Sequence, residues 1–294
     1  MQNREIKGSL LLLTAGALWG TIGPFIRIME QLGSDSVTTS LLRMLFAFFI
    51  LFLFTFWRFG ISVFIISGRS MFTCALLGLI CHGIYNIFYS NAVNLTGIGI
   101  SAILLNIAPV FTAAASYILF HENITAMKSV ALVINVAGCS LAATGGELDA
   151  SAFSLWGITN GLLAGLCYGL TAIFGRIGGD NNNVFVMSTY SYLFAAIFLA
   201  LRTRAWETIS LFSRELLTAG FLYALIPTAI AYLFYYKGLL YIRESSKVPV
   251  LASVEMIVAC VIAVAAFDET MNAASLSGIV LMLVSIALMS RCNK

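Results

Sequence analysis

Arg43 and Glu255 each interrupt a long apolar run, LLRMLFAFFI and SVEMIVACVIAV. A charge at bilayer depth costs about 2.5–3.5 kcal/mol on insertion scales, so it faces a partner or a wet cavity. Two roles fit. In one, both line a central cavity and meet a polar or zwitterionic substrate or a coupling proton. In the other, they form a structural ion pair, or Arg43 reaches along its stem to the interface. A second set is His82, Tyr85, Asn86 and Tyr89, spaced i, i+3, i+4, i+7 along one helical face. Polar groups in lipid need protein or water partners, so this stripe points inward. Tyr232 and Tyr236 repeat its tyrosines 147 residues later, and such aromatic walls suit organic metabolites or a cation. Trp19, its second-half counterpart Tyr168, and Asn106 complete the candidate substrate-binding set. For each, packing or an interhelical hydrogen bond worth about 0.6 kcal/mol is the plainer role.

Other chemistries lack their residues. His121-Glu122 opens an HExxH-like string, but Asn123, Ile124 and Thr125 follow and the second histidine is missing. No GxxxxGK[ST] loop for a nucleotide occurs. The six cysteines form no CxxC and sit mostly inside apolar runs, as small hydrophobes do. A net charge of +3 without a basic block argues against nucleic acid as a partner. No metal, no cofactor beyond a coupling proton, and no enzymatic activity are expected.

The elements that position these residues are set by composition. Hydrophobic residues make up 60% of the chain and charged residues 10%, with a mean hydropathy of +0.97. Soluble domains carry about 25% charge, so this is a polytopic membrane protein. Apolar runs and breakers predict ten spans: 8–28, 36–56, 70–92, 98–120, 125–143, 153–176, 184–201, 212–238, 244–267 and 272–290. The first resembles a signal peptide in its flanking Arg4 and Lys7, but it is long, holds Trp19, Pro24 and Arg27, and reads as a retained helix. Loop lysines and arginines divide eleven to four, which puts both termini in the cytoplasm of a cell carrying this protein in its cytoplasmic membrane. Trp57, Trp156 and Trp206 fall at span ends, where interfacial aromatics belong.

The chain is doubled. At an offset of 147, Tyr85 meets Tyr232, Tyr89 meets Tyr236, Pro109 meets Met256 and Glu122 meets Glu269. Upstream, at 149, Gly16, Trp19, Gly20 and Arg27 meet Gly165, Tyr168, Gly169 and Arg176. Five spans per half is an odd number, so the second half enters the membrane inverted, an arrangement that secondary transporters use around a midplane site. The repeats run 1–147 and 148–294, divided in the polar link Thr144–Ala152. Gly16-x-x-x-Gly20 and Gly165-x-x-x-Gly169 are small-residue faces for close helix contact. Glu122 and Glu269 fall at helix ends on opposite faces, as boundary and gate residues.

Leu18-Trp19-Gly20, Leu42-Arg43 with Ala47, and Pro109 followed by Phe120-His121-Glu122, echoed before Glu269, resemble the drug/metabolite transporter superfamily, specifically its ten-helix EamA-type family. The resemblance covers essentially the whole chain in two copies. Met256 departs from it, standing where the second copy often has proline. What the resemblance implies is an all-α carrier that exports amino acids or related metabolites, with helices five and ten at the periphery. A multidrug or organic-cation exporter is the alternative, and a membrane-embedded enzyme or lipid-handling protein a more distant one. The expected partners are a small-molecule substrate and the lipid bilayer, with the protein a monomer or homodimer.

Overall fold

The computed structural model describes residues 2–147, 154–179, 183–204, 212–267 and 271–291. Trp206 and Glu269 lie outside the described residues, and the division at 147/148 abuts an undescribed stretch. Ten helices among the described residues are long and apolar enough to cross a membrane: α1 Arg4–Gln31, α2 Ser36–Phe59, α3 Gly68–Gly97, α4 Gly99–Phe120, α5 Ala126–Thr144, α6 Leu155–Gly178, α7 Val184–Thr203, α8 Arg214–Leu239, α9 Ser245–Phe267 and α10 Ala273–Ser290. Ten expected spans are met by ten helices, most ends differing by a few residues. The larger difference is α3, which continues past 92 because Asn94 and Thr96 do not break a helix whose neighbours remain helical. The chain turns only at Gly97, whose φ of +77° lies in the left-handed region that a Cβ disfavours.

The helix starts follow from local chemistry. Asp35 caps α2 by accepting hydrogen bonds from the backbone N–H of Val37 (2.9 Å) and Thr38 (3.0 Å) and from the Thr38 hydroxyl (2.6 Å). Ser67, Thr125, Asn183 and Ser213 cap α3, α5, α7 and α8 in the same way.

The two halves match in their irregularities as well as their helices. The π-helical turns at Leu77–Ile84 in α3 and Leu225–Ile230 in α8 lie at equivalent repeat positions. α4 is interrupted at Asn106 and Ile107, and α9 at Ser253, which is Asn106 plus 147. α5, at Ala126–Thr144, and the helical stretch Ala273–Arg291 correspond without a shift at that offset. Ten membrane helices in two inverted five-helix repeats is therefore the fold.

Packing obeys the same symmetry. α1 lies against α8 and α9, and α6 against α3 and α4. The crossings are close because glycine permits it. A Cβ on Gly16 would sit 2.3 Å from the Ala252 carbonyl oxygen, and one on Gly20 2.8 Å from that of Glu255. A Cβ on Gly165 or Gly169 would sit 2.8 Å from the carbonyl oxygen of Leu104 or Ala108. Both glycine pairs thus press α1 and α6 onto the interrupted stretches of α9 and α4, the backbone approach that small-xxx-small faces allow. α5 and α10 pack on each other through Gly138 and Gly278. The main core joins α1, α2, α3, α6, α7, α8 and the start of α9.

Candidate functional site

The aromatic residues singled out in sequence converge on Tyr232 of α8. Its ring lies 4.9 Å from Trp19 of α1 and 4.9 Å from His82 of α3, centroid to centroid. Tyr236 sits one turn on, 5.7 Å from Tyr232, and its hydroxyl is 3.4 Å from His82 Nε2. Trp19 also faces Tyr168 of α6 at 6.2 Å, and Tyr168 faces Tyr85 at 5.9 Å. Tyr85 stacks on Tyr89 at 5.9 Å. These separations are those of offset and edge-to-face aromatic pairs.

The α3 stripe divides across this chamber. Tyr85 and Tyr89 look toward α6 and α9, whereas Asn86 turns to α2 and His82 to α8. The Asn86 side-chain amide hydrogen-bonds the His82 carbonyl, and its oxygen accepts from the Ser40 hydroxyl at 2.8 Å. The π-helical turn that ends at Ile84 sets this placement, because it delivers His82 from a different winding than Tyr85 onward. Tyr85, Asn86, Tyr89 and Tyr168 keep partial solvent access although they lie deep in the bundle, as the walls of an internal chamber do.

Arg43 projects from α2 into the same region and is buried. Its guanidinium donates from Nη1 to the Tyr223 hydroxyl (3.3 Å) and from Nη2 to Asn86 Oδ1 (3.5 Å), and it lies 5.2 Å from the centre of the Tyr223 ring. Both hydrogen bonds are long, Nε–H has no partner, and no carboxylate among the described residues pairs with the group. Glu255 stands on the α9 wall just past the Ser253 interruption, half-buried and close to Tyr168. No described cation pairs with it, Arg43 included. Tyr85 and Tyr232 lie near both charges. The chamber thus carries one positive and one negative pole with aromatic rings between them.

Asn106 is placed differently. Its side-chain amide donates to the Ala102 carbonyl (2.8 Å), which the Asn106 backbone N–H also reaches (3.0 Å), and it makes no described contact with the aromatic cluster. Its repeat mate Ser253 does the same for the Val250 carbonyl (2.7 Å). Three contributors escaped sequence reading: Tyr192 of α7, 5.8 Å from Tyr232; Tyr235, 5.1 Å from Trp19; and Tyr223, the partner of Arg43. Tyr235 and Tyr223 share α8 with the tyrosines already identified, which is a usable signal. Tyr192 sits in a run that offers none.

Outside the chamber, Phe25 of α1 stacks on Tyr223 (5.5 Å, interplanar angle 6°). Phe25, Ile28 and Leu32, with Arg214, Ala219 and Leu222 of α8, line an open groove of about 510 Å³. No group of three or more metal-ligating side chains occurs among the described residues.

Comparison with known proteins agrees with this architecture. The description of an EamA-like transporter family fits the chain twice, at residues 6–144 and 155–291. An uncharacterized transporter of Archaeoglobus fulgidus is 23% identical over 285 residues, spanning 95% of this chain and 94% of its own. A crystal structure 17% identical in sequence superposes with a TM-score of 0.79, covering 96% of this chain and 95% of its own, which speaks for the fold. With two family matches that together span nearly its whole length and ten membrane-crossing helices to carry them, the chain belongs to the EamA-like transporter family, a multi-pass membrane transporter.

Proposed function

We propose that this transporter is a secondary carrier for a small zwitterionic metabolite, an amino acid or related compound, which it exports across the cytoplasmic membrane with both its termini in the cytoplasm. The observation that carries the reading is the pair of uncompensated opposite charges. A buried cation without a carboxylate is expensive, and so is a deep carboxylate without a cation. Both become favourable when a ligand brings a carboxylate to Arg43 and an ammonium to Glu255. Aromatic rings between the two suit the body of an organic substrate and the cation itself. The runner-up substrate, an organic cation or drug, would find Glu255 and the same rings, but it would also meet the repulsion of Arg43. Glu255 is also the group suited to carry a coupling proton.

Movement follows from the inverted halves. The half-helices of α4 and α9 meet the glycine faces of α6 and α1, so the halves rock about the chamber and expose it to each side in turn. The test is counterflow in proteoliposomes. Vesicles loaded with neutral amino acids should accelerate uptake of the labelled compound, with saturation, and organic cations of similar size should compete poorly. Flux that neither saturates nor responds to trans substrate refutes the carrier reading. Equal competition by quaternary amines refutes the zwitterion.

A further inference from the structure

A glycine brings the start of α1 onto the chain that leaves α8. A Cβ on Gly8 would sit 2.8 Å from the Cβ of Tyr241 and 3.1 Å from the Gly238 carbonyl oxygen. Tyr241 is wedged at this crossing, half-buried, and two cations of α1 share its ring: the Arg4 guanidinium lies 5.6 Å from the centroid and the Lys7 ammonium 5.4 Å. Both distances are within cation–π range. Both side chains nonetheless stay exposed, as do Lys237, one turn before Tyr241, and Arg243, two residues after it. Glu5 follows Arg4 in sequence, but residues one or two apart on a helix do not face each other, so it turns away from both cations.

This basic corner borders the lipid. Round α1 from the Gly8 contact stand, in order, Arg4, Lys7, Leu10 and Ile6. Leu10, one turn deeper than Lys7, is 60% exposed and Ile6 53%, and Leu240, next to Tyr241, is 42% exposed. A ligand for such a corner carries a negative head and an apolar tail side by side. The Arg4 fork and the Lys7 ammonium suit phosphodiester oxygens, and a tyrosine at this depth sits as interfacial aromatics do. A choline head would bring its own cation against Arg4 and Lys7, and an acidic peptide would leave Leu10 and Ile6 unused.

We infer that the α1–α8 corner around Tyr241 is a binding site for an anionic phospholipid, with its phosphodiester held by Arg4 and Lys7 and an acyl chain lying along Leu10. Basic pockets between membrane helices take acidic lipid headgroups by the same attraction. Bound there, the lipid joins the two helices that bring Trp19 to Tyr232, so it should stabilise the folded protein by mass action. The inference is independent of what the carrier moves.

Full-length protein in a neutral detergent is titrated with dioleoyl phosphatidylglycerol, dioleoyl phosphatidylcholine or inorganic phosphate, and the concentration giving half the maximal rise in melting temperature is read. Phosphatidylglycerol is expected to act at a concentration at least tenfold below phosphatidylcholine, and inorganic phosphate to have no effect. Arg4→Gln and Lys7→Gln should each raise the phosphatidylglycerol value about fivefold, and the double variant about thirtyfold. Both side chains are exposed, so these variants should fold as the parent does. Arg4→Lys with Lys7→Arg keeps both charges and should keep the parent's value. Arg58→Gln with Arg69→Gln removes two exposed cations of the α2–α3 connection and should leave the value unchanged. An Arg4/Lys7 double variant that responds as the parent does overturns the site. Equal weakening by the Arg58/Arg69 pair also overturns it, because total charge is then what the lipid reads. Inorganic phosphate that stabilises the parent but not the Arg4/Lys7 variant makes the corner a site for free phosphate and overturns the lipid.

Discussion

Arg43→Gln separates binding from structure by the sign of its effect on stability. In the empty protein the guanidinium is buried, holds two long hydrogen bonds at 3.3 and 3.5 Å, and leaves Nε–H unpaired. A buried charge without an opposite charge carries an uncompensated desolvation cost on the order of several kcal/mol, so replacing it with a neutral polar group relieves that cost in the empty protein. Glutamine keeps one donor for the Asn86 or Tyr223 side. The variant should therefore melt at or above the temperature of the parent. With substrate the balance reverses. Truncating one partner of a buried, hydrogen-bonded charge pair costs about 2–5 kcal/mol, which is roughly 30-fold to a few thousand-fold in affinity. The assay is thermal unfolding of both proteins with and without a saturating zwitterion: the parent should gain stability with ligand concentration as mass action requires, and the variant should gain none. A variant that is less stable when empty, yet responds to ligand as the parent does, makes Arg43 a structural residue and refutes the reasoning.

Further outcomes follow from other parts of the structure. Glu255→Gln should abolish the pH dependence of transport and weaken zwitterions more than carboxylates that lack an amine; unchanged pH dependence at normal expression removes the proton role. Gly169→Val and Gly20→Val each push side-chain atoms into a backbone carbonyl 2.8 Å from the first of them, and overpacking of this kind costs about 1–3 kcal/mol. Both should lower the melting temperature, while Gly68→Ala, with nothing within 4 Å, should not. Asp35→Ala removes the cap of α2, at about 0.5–2 kcal/mol. Burial pushes the Asp35 carboxyl up, but the hydrogen bonds from Thr38 and Val37 outweigh it and hold it below its ordinary value of 3.8. The cap therefore contributes fully at neutral pH, and melting curves of parent and variant should converge only as pH falls below that value.

The bilayer explains why so much of the fold was legible. A hydrocarbon slab demands apolar runs of fixed length, and an odd number of spans per half leaves an inverted repeat as the outcome, so the ten helices and the 147-residue register could be read directly. The chamber was legible where polarity is rare: Arg43, Glu255 and the α3 stripe stand out in apolar surroundings. Tyr192 did not, because a tyrosine in an apolar run has no mark of facing inward until the helix rotation is known. In α3 and α8 the rotation is further set by π-helical turns at Leu77–Ile84 and Leu225–Ile230, which leave no plain signature in composition.

Charge carries more than the loop count uses. Lys128, Arg176 and Lys247 are among the eleven residues that the count puts on the cytoplasmic side. Lys128 and Lys247 are buried and paired with Glu244, and Arg176 is bonded to Glu122. An inverted repeat makes such residues informative in a way that a count does not. What the halves share, the interrupted helices and the glycine faces, must serve both orientations of the cycle equally. Lys128 and Glu244, whose positions 147 residues away hold Ser275 and Gly97, depart from that symmetry, while the matched tyrosines bear on the chamber.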